Sequence, residues 1–369
     1  MVKKLLAING LAIICVILFH ASGWGFTSLF WWTHRYLPVE VPNFDQLGSL
    51  SYYSLRFVEQ LIIFAIPTFL FVSGYFIAFA TGKNQNFPKI VWLFNRLIFL
   101  IVPFLLWSVL TLIFKALLGE IYTPLQYMEI LFTGKAAETF YFIPLLVQLY
   151  IISPLLTRLA RKWPWILLAG TLLLLLVIRG MQYLLILNIH FSGEIFIRAI
   201  SPSWMLFGGL FWFSLGIVVG FNLNAILAKL SRWRWVFLCS AILLIPAGIW
   251  EWETLLANSG RGWFPTRETI LDALYALMVL GVFLSFPLKQ IAKSKWLNYL
   301  GSKSFGIYLS HTLVLTLTAK LIYNFAPQIL GWQWLFQPIL ILLGLSIPIL
   351  IMEITERTFL KRWYAYIFG

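Results

Sequence analysis

The sequence predicts an all-α protein, a polytopic bundle of about ten transmembrane helices with both termini in the cytoplasm. Of its 369 residues, 61% are hydrophobic and only 11% are charged, whereas about a quarter of the residues of a soluble domain are charged. The apolar residues form blocks of roughly the 20 residues that cross a bilayer as a helix. Basic residues gather in every second connection between these blocks. A β-barrel would instead have short segments of alternating polarity.

The apolar blocks define ten spans within one integral-membrane domain over residues 1–369. They cover residues 5–23, 55–80, 97–118, 140–157, 164–181, 202–221, 235–250, 269–288, 303–323 and 334–355. The first block has no A-x-A-like cleavage site after it, so we expect it to remain as a signal anchor. The absence of a clear internal repeat in the sequence disfavours an inverted-repeat transporter.

The charged residues test this topology. With a cytoplasmic N-terminus, the inside connections hold Lys3 and Lys4; Lys83, Lys89 and Arg96; Arg158, Arg161 and Lys162; Lys229, Arg232 and Arg234; Lys289, Lys293, Lys295 and Lys303; and Arg357, Lys361 and Arg362. Most acidic residues fall on the other side, namely Glu40, Asp45, Glu120, Glu129, Glu138, Glu194, Glu251 and Glu253. This is the positive-inside pattern. The net charge of +14 therefore reflects topology, and no nucleic-acid partner is expected.

His20 is the main candidate for chemistry, because an ionisable ring at membrane depth is costly and usually functional. A neutral histidine can take a proton from a hydroxyl and return it to a leaving group. His20 lies about 22 Å from the cytoplasmic end of the first helix at 1.5 Å per residue, in the outer half of the bilayer. Asn9 lies three turns earlier on nearly the same face. The alternative is a structural histidine that is hydrogen-bonded between helices.

A second polar stripe opens the ninth span. Ser304, Tyr308 and His311 are spaced by four and three residues, so they line one helical face. Such a face must contact protein or a water-filled cavity. It forms either the wall of a substrate tunnel or a set of interhelical hydrogen bonds. Near the start of the third span, Arg96 either snorkels to the interface or binds a phosphate. These residues fit acyl transfer and proton-coupled transport equally well.

The longest outside connection, residues 24–53, is rich in aromatic side chains. Trp24, Trp31, Trp32 and Tyr36 suit the aromatic belt at a membrane interface. Stacking against a carbohydrate is the alternative interpretation of the same residues.

The remaining polar or sulfur-containing side chains in the spans have structural interpretations. Arg56 and Glu59 lie three residues apart and are expected to pair with each other. Cys15 and Cys239 lie in apolar runs, and the histidines have no paired metal-ligand spacing. We therefore expect no disulfide and no metal site.

The motifs, taken in order, resemble the acyltransferase-3 family of integral-membrane acyltransferases. The six matching stretches are NGLAIICVILFH (9–20), IPTFLFVSGYFIA (66–78), NRLIFLIVPFLLWSVL (95–110), FYFIPLLVQLYIISPLL (140–156), LFGGLFWFSLGIVVG (206–220) and GSKSFGIYLSH (301–311). The resemblance covers essentially the whole chain and implies the stand-alone membrane type, without a fused hydrolase-like domain. Members commonly carry an arginine eleven residues before the first histidine, and this chain has Asn9 there.

The resemblance implies a bacterial cytoplasmic-membrane enzyme. It would move an acyl group, expected to be acetyl, from a cytoplasmic acyl-CoA such as acetyl-CoA to a glycan hydroxyl. His20 would deprotonate that hydroxyl or carry the acyl group. In this interpretation, the residues that bind substrate or donor are Asn9, Arg96, Lys303, Ser304, Tyr308 and His311. The expected partners are the glycan or another hydroxyl acceptor, acyl-CoA and membrane lipid. The alternative is a transporter or flippase of a glycan, lipid or acyl compound.

Overall fold

A computed structural model describes residues 2–82, 88–264, 269–287 and 289–369, and the predicted inside residue Lys83 lies outside these ranges. The regular structure of these ranges is helical, and no strand occurs within them. The α-helices are α1 (Val2–Phe30), α2 (Leu50–Ile62), α3 (Ala65–Thr81), α4 (Ile90–Leu117), α5 (Pro124–Thr133), α6 (Phe142–Lys162), α7 (Pro164–Ile186), α8 (Glu194–Ile200), α9 (Leu210–Phe221), α10 (Leu223–Leu230), α11 (Arg234–Asn258), α12 (Ile270–Ser285), α13 (Lys289–Lys293), α14 (Lys295–Phe325), α15 (Gln333–Arg357) and α16 (Tyr364–Phe368).

The apolar helices confirm the predicted membrane bundle. Within the described ranges, 8 helical segments are long and apolar enough to cross a membrane, with α2 and α3 counted together as one. Two shorter apolar helices, Leu210–Phe221 and Ile270–Ser285, lie where the sixth and eighth spans are predicted. The chain is therefore an integral, multi-pass membrane protein.

Helix ends follow local capping more closely than hydropathy. The hydroxyl of Ser49 accepts a hydrogen bond from the backbone of Tyr52 and starts α2 five residues ahead of the predicted span. Thr269 and Asp272 form a capping box that starts α12. The break between α2 and α3 falls just before Pro67. Proline has no N–H to donate to the carbonyl of Ile63, so the helical ladder is interrupted there.

The first and ninth spans, α1 and α14, pack backbone to backbone. A Cβ atom added to Gly10 would lie 2.0 Å from the carbonyl oxygen of Leu297, and one added to Gly301 would lie 1.9 Å from that of Leu6. Glycine at both positions allows this close approach, as at many membrane helix crossings. Because Gly10 contacts Gly301 and the later residues His20 and His311 also meet, the two helices run parallel.

A second crossing of the same kind joins α3 to α9. A Cβ atom on Gly74 would lie 2.0 Å from the oxygen of Phe213, and one on Gly216 would lie 2.0 Å from that of Phe71. Two glycine crossings therefore set the closest backbone approaches between these helices of the bundle.

The predicted inside connections meet at one end of the bundle, which we call the basic end. Arg161 donates a hydrogen bond to the carbonyl of Gly82, and the ammonium of Lys4 donates to that of Phe286 at 2.7 Å. The first contact joins two of the predicted inside connections, and the second joins the N-terminal segment to the end of the eighth predicted span. That the basic end faces the cytoplasm remains a prediction from the distribution of charged residues.

The C-terminal helix α16 folds back onto the bundle at the basic end. The indole of Trp107 on α4 donates to the carbonyl of Ile367 at 2.9 Å, and Phe368 is fully buried. This segment thus fills the space between α4 and α14.

Candidate functional site

A cavity of about 1330 Å³ lies at the end of the bundle opposite the basic end. Its wall comes from α1, α2, α3, α4, α6, α7, α9 and α14 together with connecting segments that are predicted to lie outside. It reaches the surface, because Glu120 and Arg198 in its wall are 47% and 60% exposed. Under the predicted orientation this cavity opens on the extracytoplasmic side.

The two predicted histidines come together at the inner end of this cavity. His20 on α1 lines the cavity, and its ring centroid is 5.5 Å from that of His311 on α14, with the planes inclined by 50°. His311 is fully buried behind it. Each histidine follows the crossing glycine of its own helix, Gly10 or Gly301, by the same ten-residue interval. The parallel helices therefore carry the two rings to the same level.

The tautomer of His311 is set by its own helix. Its Nδ1 lies 3.1 Å from the carbonyl oxygen of Ile307 and 2.7 Å from that of Tyr308. A carbonyl can only accept a hydrogen bond, so Nδ1 carries the proton and Nε2 is a bare acceptor. That Nε2 is buried and has no hydrogen-bond partner among the described residues. Such an acceptor costs roughly 1–3 kcal/mol unless a ligand or water supplies a donor.

The rest of the predicted stripe on α14 divides into two parts. Tyr308 lines the cavity, and its hydroxyl donates to the backbone carbonyl of Thr139. Ser304 lies one turn nearer the basic end, where its hydroxyl donates to the carbonyl of Gly301 at 2.9 Å. Tyr308 therefore belongs to the cavity wall, and Ser304 is bonded within its own helix.

Lys303 lies in a network of charges at the basic end. Its ammonium is 2.8 Å from Glu356 and 3.5 Å from Glu353, both on α15, and 3.4 Å from the hydroxyl of Tyr364. The side chain is 8% exposed. The network ties α14 to α15 and to the C-terminal segment. The two glutamates were not expected as partners from the sequence, because they lie 50 and 53 residues after Lys303.

The other two predicted donor-side residues also lie away from the cavity. The guanidinium of Arg96 on α4 contacts the hydroxyl of Tyr150 on α6. Asn9 lies beside Gly10 at the crossing of α1 and α14, and its side-chain oxygen is buried without a hydrogen-bond partner among the described residues. The structure thus separates a cavity with two histidines from polar residues nearer the basic end.

Three cavity residues were not singled out from the sequence. Thr139, Trp212 and Thr312 line the cavity, and the two threonine hydroxyls and the indole N–H are buried without partners among the described residues. The four-residue spacing of Tyr308, Thr312 and Thr316 was available as a signal. All three of these α14 residues line the cavity.

The predicted pair of Arg56 and Glu59 is confirmed. The two side chains are 2.6 Å apart and almost fully buried, and the guanidinium lies 4.5 Å from the ring centroid of Trp252. Next to them, Gln60 donates to Asp272 at 2.8 Å. Glu59 also lines the cavity, so its charge is balanced by Arg56 where it meets the cavity.

Charged side chains at the mouth of the cavity form hydrogen bonds and ion pairs with their neighbours. Hydrogen bonds from His190 and Arg198 keep the pKa of Glu194 below its usual range. Arg198 is 2.6 Å from that carboxylate. Within the described ranges, no group of three His, Cys, Asp or Glu side chains is arranged to hold a metal ion.

A cavity that ends on two histidines in a membrane bundle is the kind of site that proton-assisted group transfer requires. The family described as an acyltransferase domain matches residues 5–353, and the chain therefore belongs to the acyltransferase-3 family. It is a membrane acyltransferase.

Relatives of the chain are found in staphylococci. A protein of Staphylococcus epidermidis is 23% identical over 306 residues, which cover 77% of this chain and 76% of the relative. A protein of Staphylococcus aureus (strain MRSA252) is 23% identical over 269 residues, covering 70% and 71%. Both are named probable poly-beta-1,6-N-acetyl-D-glucosamine export protein. No solved structure matches the chain significantly.

Proposed function

We propose that this acyltransferase transfers an acetyl group from acetyl-CoA to a hydroxyl of a polysaccharide, with β-1,6-linked N-acetylglucosamine as the first acceptor to test. The observation that carries the proposal is His20, which lines the cavity in ring contact with His311. The names of the staphylococcal relatives suggest the acceptor.

A sugar hydroxyl is a weak nucleophile and needs a base. We assign that role to a ring nitrogen of His20. As the hydroxyl oxygen forms its bond to the thioester carbonyl, its proton passes to His20. The carbon–sulfur bond then breaks, and the coenzyme A sulfur takes the proton from His20. The products are the sugar ester and free coenzyme A, and His20 returns to its neutral form.

We assign His311 as the positioning residue for this base. Its bare Nε2 can accept the N–H of His20, which leaves the other nitrogen of His20 for the acceptor hydroxyl. The two centroids are 5.5 Å apart, and hydrogen bonds in such sites often tighten only when substrate is bound. The fixed Nδ1–H bonds of His311 favour this arrangement.

The donor is proposed to approach from the basic end. Arg96 and Lys303 provide positive charge for its phosphates, while Asn9, Ser304 and Tyr308 lie along the way to His20. Lys303 is bound to Glu353 and Glu356, so donor binding requires it to exchange these carboxylates for phosphate.

The test uses protein in nanodiscs with acetyl-CoA and N-acetylglucosamine oligomers. We expect acceptor-dependent release of coenzyme A and oligomers heavier by one acetyl group. His20→Gln should lower the rate by about 10²–10⁴-fold, the usual contribution of a general base. His34→Gln is the matched control, because His34 lies near the same end and bonds Tyr323 at 3.3 Å. Full activity of folded His20→Gln would refute the catalytic assignment.

The second candidate is movement of the polysaccharide across the membrane, which the relatives' names favour. It predicts that proteoliposomes transfer labelled oligomers without consuming acetyl-CoA. Coenzyme A release that depends strictly on the oligomer would decide for the enzyme.

A further inference from the structure

Four side chains on α14 form a polar line along the cavity. Tyr308, Thr312, Thr316 and Lys320 follow one another at intervals of four residues, and all four line the cavity. At 1.5 Å per residue the line is about 18 Å long. It begins beside His311 and runs outward toward the mouth of the cavity.

A second line runs beside it from the catalytic position, on α1 and the residue that directly follows it. His20, Trp24, Thr27 and Trp31 all line the cavity and span about 16 Å of the helix. The helix continues to Phe30, past the predicted end of the first span, and the hydroxyl of Thr27 donates to the carbonyl of Gly23 at 3.0 Å. Trp24 is thereby carried on the helix, and Trp31 directly follows its last residue, with its backbone N–H bonded to the carbonyl of Thr27 at 2.9 Å.

The inner part of the cavity has polar groups that lack protein partners. The side chains of Thr139 and Trp212 are 2% and 1% exposed, yet the hydroxyl of the first and the indole N–H of the second have no partner among the described residues. The hydroxyl of Thr312 is also buried and has no hydrogen-bond partner among the described residues. Buried polar groups are normally hydrogen-bonded, so these three point to a ligand rich in hydroxyl and amide groups.

Part of the charge of the wall is compensated within the protein. Arg56 balances Glu59 at 2.6 Å, and Lys115 lies 4.0 Å from Glu120. Arg261 donates to the amide oxygen of Asn188 at 3.1 Å. Asn188 is neutral, so this contact does not cancel the positive charge of Arg261, and the charge of the wall does not by itself select between neutral and anionic ligands.

We propose that the groove lined by these two helix faces binds a linear polysaccharide as an extended chain, with Trp24 and Trp31 against two of its sugar rings. This rests on the proposed acceptor class, and it adds that the enzyme recognises a chain and not a single sugar. A groove of about 16–18 Å along the helices accommodates roughly three pyranose units. The unpartnered groups of Thr139, Trp212 and Thr312 bind the unit that lies next to His20.

The experiment measures binding without acetyl-CoA, by titration calorimetry in nanodiscs, with β-1,6-linked N-acetylglucosamine oligomers of increasing length. We expect Kd to fall with each added unit up to about three or four units and then to level off, since each unit occupies part of a groove of about 18 Å. Trp31→Ala should weaken binding of the long oligomers on the order of tenfold and leave the monosaccharide unchanged. Trp31→Phe should restore most of that loss.

Trp334→Ala is the matched control. Trp334 is 75% exposed on α15 and stacks on Trp332 with ring centroids 6.3 Å apart, so its removal should leave every Kd unchanged. Thr312→Val keeps the side-chain shape and should weaken binding of all lengths alike, because it removes a hydroxyl next to His20.

Binding that does not depend on length in the wild type would overturn the extended groove. Equal losses for Trp31→Ala and Trp334→Ala, or displacement of the oligomers by a single-chain lipid without any effect of Trp31→Ala, would overturn the assignment of the tryptophans. Length-dependent binding without acetyl transfer would refute the proposed function and leave this proposal standing.

Discussion

Near the basic end, α1 and α14 approach until Gly10 and Gly301 touch the opposite backbone, whereas further along the same helices His20 and Tyr308 line a cavity of about 1330 Å³. The same helix pair thus closes the bundle at one end and forms the wall of a cavity at the other. Glycine residues allow the close backbone contact at the closed end, and hydroxyl, imidazole and indole groups line the cavity at the open end. Under the proposed function, the contrast predicts that the two substrates meet different surfaces, an open cavity for the acceptor and a packed end for the donor.

The largest effect is expected where the two regions join, at the histidine pair. His311→Gln should lower the rate of coenzyme A release by about 10²-fold or more, and the double variant with His20→Gln should be little slower than His20→Gln alone. When two residues act as one unit, the effects of substituting them are strongly non-additive. The measurement is a double-mutant cycle on the rate, with folding checked by size-exclusion chromatography. Additive losses would show that the two rings act independently.

The closed region is tested by adding a methyl group. Gly10→Ala places a Cβ atom 2.0 Å from the oxygen of Leu297, so α1 and α14 must separate. Overpacking of this kind typically costs 1–3 kcal/mol, and we expect a lower unfolding temperature together with a lower rate. Gly170→Ala on α7 is the control, because nothing lies within 4 Å of its added Cβ. A Gly10→Ala protein as stable and active as the control would contradict the close packing.

The smallest effect is expected at the charge network of the basic end. Glu356→Gln removes the carboxylate 2.8 Å from Lys303 and should lower the KM for acetyl-CoA a few-fold, on the order of 0.5–1 kcal/mol, as for partly exposed ion pairs. Lys303→Met should raise that KM. Both should leave the Kd for the oligosaccharide unchanged. A change in oligosaccharide binding would place Lys303 on the acceptor side of the protein.

The spans were predictable from the sequence because blocks of apolar residues are sufficient to identify them. Their ends were not, since the N-cap of Ser49 and the hydrogen bonds of Thr27 and Ser28 to their own helix are local effects that hydropathy does not record. These hydrogen bonds lie in the part of α1, up to Phe30, that was assigned to a connection.

The site was predictable as single residues but not as an assembly. His20 and His311 were evident as polar residues in apolar runs, yet their contact depends on how α1 crosses α14. The pairing of Lys303 with Glu356 depends on the packing of α15. Trp212 and Thr139 carry no signal in the sequence, because tryptophan and threonine are common in membrane spans. Only the packing around them shows that their polar groups lack a hydrogen-bond partner among the described residues.

The equal ten-residue intervals from Gly10 to His20 and from Gly301 to His311 have a consequence for how the chain tolerates change. Each residue inserted into a helix rotates everything beyond it by about 100° and advances it by 1.5 Å. One added residue between Gly10 and His20 would turn the imidazole away from its partner, although every side chain of the site would still be present. We therefore expect the insertion or removal of one residue in this region to break the histidine contact even when the helix itself stays intact.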